Sequence, residues 1–263
     1  MNDAEFQRIK KNFKRALEKN IFYKTKDVHF ELSNVCNYTY MHPQCPTSKM
    51  KKIHVMPLDE IEAIAKKLGE LGYDRTLSPY TYSEPLIDPR LYTVLEMLTK
   101  YVPKSNLAIV TNGFFLYEPV IDDIVKRGMR RISISCYLPK EHERIQKLVD
   151  KVRDKYSYVH FRVIKAYPLE KRMCDKYSIY ESDTPVIEEK KACQAPYRYV
   201  YITRYGDIGL CCNDWKLECT FGSLKEKGFK EIFFSDKMVD MYLNLIQGNR
   251  NIHPLCSRCY RNK

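Results

Sequence analysis

The chain has 263 residues, 44% of them hydrophobic, which is enough to bury a core and too many for a disordered chain. Lysine and arginine outnumber aspartate and glutamate by 45 to 33, a net charge of +12 that suits an anionic partner or a solvated basic surface. No apolar run approaches the ~18 residues of a membrane span.

The start, "MNDAEFQRIKKNFKRALEKN", is charged and has no apolar stretch of the secretory kind. A cytoplasmic setting is therefore expected. Ten cysteines in a reducing compartment are metal ligands more often than disulfide partners.

In chain order, Phe6, Ile9, Phe13 and Leu17 recur at intervals of three and four and predict an amphipathic packing helix over 3–19. "DVHFEL" (27–32) reads as a strand and runs into "SNVCNYTYMHPQCPTS" (33–48), a loop holding Cys36 and Cys45. Pro57 opens a helix whose apolar face is Leu58, Ile61, Ile64, Leu68 and Leu71. "YDRTLSPY" (73–80) is a further strand, and "LYTVLEMLTKYV" (91–102) a helix. "LAIVTNG" (107–113) is a buried strand ending in a glycine turn, and "VIDDIVKRG" (120–128) a helix stopped by Gly128. "RRISISCY" (130–137), "EHERIQKLVDKVR" (141–153) and "YVHFRVI" (158–164) follow as strand, helix and strand.

Strand and helix alternate five times over 27–165, the signature of right-handed βαβ units and a parallel sheet. The fold class is α/β. In such folds chemistry gathers at the carboxyl ends of the strands. The cysteine loop, "YSEP" (82–85), "TNG" (111–113) and Cys136 all fall there.

The alternation stops near residue 166, where a polar, aperiodic segment follows. "YRYVYITRYGDIGLCC" (197–212) then reads as a β-hairpin around "RYGD", with Tyr197, Tyr199 and Tyr201 as packing residues on one face. A short helix ("FKEIFFS") and a longer one ("KMVDMYLNLIQGN") come before the closing "PLCSRC". The expected divisions are an N-terminal helix (1–24), a barrel (25–168), a linker (169–192) and a cysteine-rich domain (193–263).

Cys256 and Cys259 form a C-x2-C knuckle, a tight turn that lets two thiolates grip one centre. Cys193, Cys211 and Cys212 can complete it, with Cys219 a spare. Four thiolates hold either zinc or a [4Fe–4S] cluster, and ligand count does not choose between them.

"ACQAPYRYVYITRYGDIGLCCNDW…FGSLKEKGFKEIFF…NIHPLCSRC" resembles the SPASM/Twitch extension of radical S-adenosylmethionine (SAM) enzymes. The shared pattern is a cysteine, a hairpin glycine (Gly206) five residues before the next cysteine (Cys211), a turn at Gly222-Ser223-Leu224, a helix and the closing C-x2-C. The chain resembles the shorter Twitch form. That implies one auxiliary [4Fe–4S] cluster on Cys193, Cys211, Cys256 and Cys259, with Cys212 able to replace Cys211.

Residues 25–168 resemble the radical SAM barrel, which implies a partial (β/α)6-type barrel of parallel strands with a small β-hairpin and helix iron–sulfur domain behind it. In the family a C-x3-C-x2-C loop after the first strand binds a second [4Fe–4S] cluster, whose open iron takes SAM. "ELSNVCN" matches the entry to that loop. Tyr40 stands in the place of the second cysteine, and two extra residues precede Cys45, which is still followed by Pro46.

A third ligand is then expected from Tyr40, His42 or Cys136, with His42 joining Cys36 and Cys45 as the metal set. Glu84 matches the acceptor for the amino group of SAM, with Ser83 in a glycine's place. Asn112 sits at the SAM edge, and Ser133 or Ser135 lines the pocket.

The layout resembles a Twitch dehydrogenase that oxidises a secondary alcohol of a cyclitol. It implies an oxidoreductase acting on a small polyol, sugar or cyclitol, and an electron donor such as flavodoxin or ferredoxin. The charge extends the substrate class to phosphorylated or nucleotide-linked molecules. The alternatives are a peptide-modifying SPASM-type enzyme, a non-catalytic iron–sulfur or SAM-binding protein with a vestigial first site, and a zinc protein associated with nucleic acid.

Overall fold

The computed structural model describes residues 2–41, 45–167 and 191–259. Two compact units result, one of Met1–Val28 with Tyr177–Lys263, the other of His29–Lys176. No helix among the described residues is long and apolar enough to cross a membrane.

The barrel unit follows the expected alternation. β1 (Asp27–Phe30) leads into it. Then come α2 (Pro46–Lys49), α3 (Leu58–Glu70), β2 (Thr76–Ser78), α4 (Leu91–Tyr101), β3 (Asn106–Thr111), α5 (Glu118–Lys126), β4 (Met129–Cys136), α6 (Pro139–Val152) and β5 (His160–Lys165). The strands lie in the order β5-β4-β3-β2-β1, so β1 and β5 are not neighbours and the barrel is open. β2, β3, β4 and β5 pair in parallel.

Each helix buries the stripe its periodicity marks: Ile61, Ile64 and Leu68 of α3, and Leu91, Val94, Leu95 and Leu98 of α4. Burying one such side chain contributes about 1.5–3 kcal/mol, so these stripes hold the helices to the sheet.

Strand parity divides the sheet into two faces. Ile132 and Ile134 are fully buried, as are Val28, Phe30 and Leu77. The intervening residues of β4, Arg131 and Ser133, are exposed and half-buried. Register aligns Ser133 with Val110 on one side and Arg162 on the other. One face is therefore apolar and helix-covered, and the opposite face mixes polar side chains (Arg131, Ser133, Ser135, Arg162) with Val110 and Ile164.

In the other unit, α1 (Asp3–Lys19) is capped by Asn2, whose side chain accepts from the Glu5 amide at 2.9 Å. The helix expected as a separate N-terminal element belongs to the same unit as the C-terminal segment. Phe13 meets Tyr197 edge-on at 5.0 Å and Tyr242 at 4.9 Å. Lys10 bridges Asp236 and Asp240 at 3.0 and 2.7 Å.

β6 (Tyr199–Ile202), β7 (Asp207–Gly209) and β8 (Thr220–Ser223) form an antiparallel set, followed by α7 (Phe229–Phe233), α8 (Asp236–Ile246) and α9 (Pro254–Ser257). The turn expected at 222–224 is thus partly strand, because Gly222 pairs with Ile208. Tyr197 and Tyr201 are buried, but Tyr199 is 43% exposed and its ring lies against the Arg198 guanidinium.

Candidate functional site

The N-terminal cysteine loop is anchored at its stem. The Asn34 side chain donates to the Lys52 carbonyl at 2.7 Å and accepts from the His54 amide at 2.8 Å. Below it Arg90 grips Asp88 with two nitrogens and donates to the Met56 carbonyl at 2.5 Å. The loop's next residue, Val35, accepts the Glu84 amide at 2.9 Å, which ties it to the loop after β2.

Glu84 is 3% exposed, and its carboxylate joins its own loop to the end of β3. Oε1 accepts from Thr111 Oγ1 at 2.6 Å and from the Leu86 amide at 3.1 Å, and Oε2 accepts from the Asn112 amide at 2.7 Å. Burial raises its pKa, and these three donors work against that rise. A carboxylate offers about four acceptor positions, so about one is left for a ligand.

Asn112 faces the cysteine loop. Its Nδ2 donates to Asn37 Oδ1 at 2.8 Å, while its Oδ1 accepts the Phe114 amide at 2.9 Å. Gly113 makes that turn with φ +76°, and a Cβ there would stand 2.6 Å from Ile134 Cγ2.

Cys36, Cys45, Glu84 and Asn112 come together. Burial pushes the Cys36 pKa up to about 11, and the charges of Glu84 and Cys45 push in the same direction. The Tyr38 amide, 3.4 Å from Cys36 Sγ, and the Asn112 side chain lower it. Cys45 Sγ lies 3.2 Å from Thr47 Oγ1. Ser83 is half-buried beside Glu84. Ser133 and Ser135 share the polar side of β4, where Ser133 is half-buried and Ser135 is 8% exposed.

Of the candidate third ligands, His42 lies outside the described residues. Tyr40 is 77% exposed. Cys136 is fully buried, and the charges that act on it are Glu141 and Arg144, not the loop cysteines. Its parity explains this: on β4 it falls with Ile132 and Ile134, on the helix side, opposite Ser133 and Ser135.

Sequence reading also passed over Tyr38. Its hydroxyl donates to Glu141, and its ring meets Phe114 and Tyr137, each at 5.9 Å. An aromatic two residues from a cysteine carries no periodic signal.

The C-terminal cysteines lie in the other unit. The Cys193 amide donates to the Leu245 carbonyl at 2.8 Å. Cys256 and Cys259 are each 5% exposed. The Cys211 thiol is pushed well above its ordinary pKa, first by burial and then by Cys212, Cys256 and Cys259. Burial pushes Cys256 up to about 12, Cys193 and Cys259 add to the rise, and Arg250, only 2% exposed, opposes it.

The donors are all sulfur: Cys211 feels the charges of Cys212, Cys256 and Cys259, and Cys256 those of Cys193, Cys259 and Cys219. Among the described residues no three metal-binding side chains converge on a single-ion position. Four thiolates suit zinc and a [4Fe–4S] cluster alike. The set fits a cluster.

Residues 193–260 match the SPASM iron–sulfur cluster-binding domain. The chain is 22% identical over 238 residues to the S-adenosyl-L-methionine-dependent 2-deoxy-scyllo-inosamine dehydrogenase of Niallia circulans, covering 88% of this chain and 91% of that protein. It is 28% identical over 116 residues to the GTP 3',8-cyclase of Aquifex aeolicus, covering 44% of this chain and 35% of that protein.

Among solved structures, BtrN in complex with AdoMet and 2-DOIA superposes with a TM-score of 0.76 at 21% identity, covering 90% of this chain and 93% of that one. The AdoMet-bound anSMEcpe gives 0.60 at 12% identity, covering 84% and 83%. Residues 193–260 thus match a SPASM iron–sulfur cluster-binding domain, and the chain shares the fold of AdoMet-bound BtrN.

Proposed function

We propose that this chain is an iron–sulfur oxidoreductase of the radical SAM type that dehydrogenates a small polyol, sugar or cyclitol. The observation that carries the reading is the full-length likeness to a SAM-dependent cyclitol dehydrogenase, over 88% of this chain and 91% of that protein. Bound at Cys36 and Cys45, a cluster with SAM would supply one-electron chemistry at a carbon–hydrogen bond.

The chain's own residues prepare the site. Glu84 and Asn112 lock the cysteine loop against the ends of β2 and β3. The remaining acceptor position on Glu84 suits an ammonium group. The polar sheet face offers His29, whose ring meets Tyr80 at 5.6 Å, with Ser133, Ser135 and Arg162. Hydroxyl and cationic groups of this kind suit a polyol, and Arg162 extends the class to anionic ones. The net charge of +12 favours an acidic electron donor such as flavodoxin or ferredoxin.

A second reading, a non-catalytic protein with a vestigial first site, is favoured by one observation. Among the described residues the loop supplies two thiolates, and Tyr40 occupies the place of the second cysteine.

Anaerobic purification separates the two. About eight irons per chain, with 5′-deoxyadenosine released on adding SAM and dithionite, is the expected result for the enzyme. A cyclitol and sugar panel, read by mass for loss of two hydrogens, then identifies the substrate class. About four irons with no SAM cleavage selects the second reading.

A further inference from the structure

We propose that Asn213 is a positioning residue of the C-terminal cysteine centre, tying two of its ligands together and easing its reduction. The inference rests on the reading of Cys193, Cys211, Cys256 and Cys259 as the ligands of one cluster.

Asn213 is 1% exposed and donates to two different sulfurs. Its backbone amide lies 3.4 Å from Cys211 Sγ, and its side-chain Nδ2 lies 3.4 Å from Cys259 Sγ. The two cysteines reach this centre from different stretches of chain, the loop after β7 and the closing C-x2-C. One residue thereby joins the halves of the ligand set.

Its neighbour Asp214 keeps it in place. The Asp214 amide donates to the Cys211 carbonyl at 3.1 Å, and its fully buried carboxylate accepts the Glu218 and Cys219 amides, each at 2.9 Å. The loop that presents Asn213 is closed on itself by these bonds.

Two N–H donors aimed at ligand sulfurs stabilise negative charge on them. A cluster that accepts one electron gains one negative charge, so these donors favour the reduced form more than the oxidised one. Burial strengthens the effect by keeping water from screening it. Asn213 therefore raises the potential of the centre, which suits an acceptor of electrons.

The test uses the full chain carrying Cys36→Ala and Cys45→Ala, so that the C-terminal centre is seen alone. Iron and sulfide are counted, and the midpoint is read by an EPR-monitored redox titration for Asn213, Asn213→Ala and Asn213→Asp. Asn213→Ala retains the cluster and weakens its reduction about tenfold, a negative shift of 59 mV for one electron. Asn213→Asp replaces a donor by an acceptor and shifts the midpoint further in the same direction.

An unchanged midpoint in both variants, with iron retained, overturns the proposal. Should Asn213→Ala lose iron, Asn213→Ser, which keeps a donor, decides. A cluster retained in the serine variant supports the tie, and one lost from all three overturns it. Absence of iron and sulfide in the Asn213 parent overturns the ligand reading itself, a separate and recognisable failure.

Discussion

The two cysteine sites are built on opposite plans. Cys36 and Cys45 are half-exposed, and the chain on either side of Cys36 is held from outside by Glu84 and Asn112, which lie in the loops after β2 and β3. Cys256 and Cys259 are buried, Cys193 and Cys211 are half-buried, and Asn213, in the loop that carries Cys211, holds the set from within. A site that must admit a small molecule needs an open side and borrows its rigidity from the sheet. On the proposed reading the C-terminal centre only passes electrons, so its ligands can be held by their own loop.

The largest expected effect falls on the closed site. Cys256→Ser with Cys259→Ser removes two of four thiolates, and about four irons per chain should be lost while iron at the N-terminal loop remains. Iron and sulfide counts check this. Equal loss at both sites would erase the distinction between them.

Cys36→Ala should remove 5′-deoxyadenosine formation and leave the closed site's absorption intact, as read by product assay and visible spectrum. Activity surviving in that variant would show that the open site does not work through this loop.

Glu84→Gln probes the borrowed rigidity. Its amide cannot accept on both sides, so either the Asn112 amide or the Leu86 amide faces a donor. A buried donor left unsatisfied costs about 1–3 kcal/mol. Urea unfolding should show a loss near 2 kcal/mol, with SAM affinity reduced as well. An unchanged midpoint would mean that the loop holds itself.

The smallest effect is a control remote from both sites. Lys14 first, then Lys10, hold the Asp236 carboxyl down at about 2. A lowered pKa contributes stability above the unfolded value of about 3.9, lost as pH falls through about 2. Asp236 is exposed and its two lysines are half-buried, so Asp236→Asn should cost only about 0.5 kcal/mol at neutral pH and nothing below pH 2. Thermal melts at the two pH values check the sign.

Much of this was legible before any coordinates. The amphipathic stripes of α3, α4 and α6, the alternation with strands and the spacing of the cysteines all follow from local pattern. β8 was not, since four residues containing a glycine at φ +145° read as a turn until Ile208 is found opposite Gly222. Cys136 was legible as a residue at a strand end but not in its direction, which follows from counting parity along β4 to the buried Ile134. Asn213 and Tyr38 left no trace, because a polar or aromatic side chain beside a cysteine takes its meaning from a partner distant in the chain. For Tyr38 that partner is Glu141.

By itself, the order of residues determined which segments are helix and strand, the α/β class and the supply of thiols, because periodicity and residue chemistry act over a few neighbouring positions. Only the tertiary structure decided that Glu84 spends three acceptor positions on holding loops, that Cys136 turns away from the polar face, and that one asparagine joins Cys211 to Cys259. The bonds of Glu84 to Thr111 and Asn112 and of Asn213 to Cys259 join residues far apart in the chain. Such contacts depend on which face a strand presents and which loop closes beside it, and no local pattern encodes either.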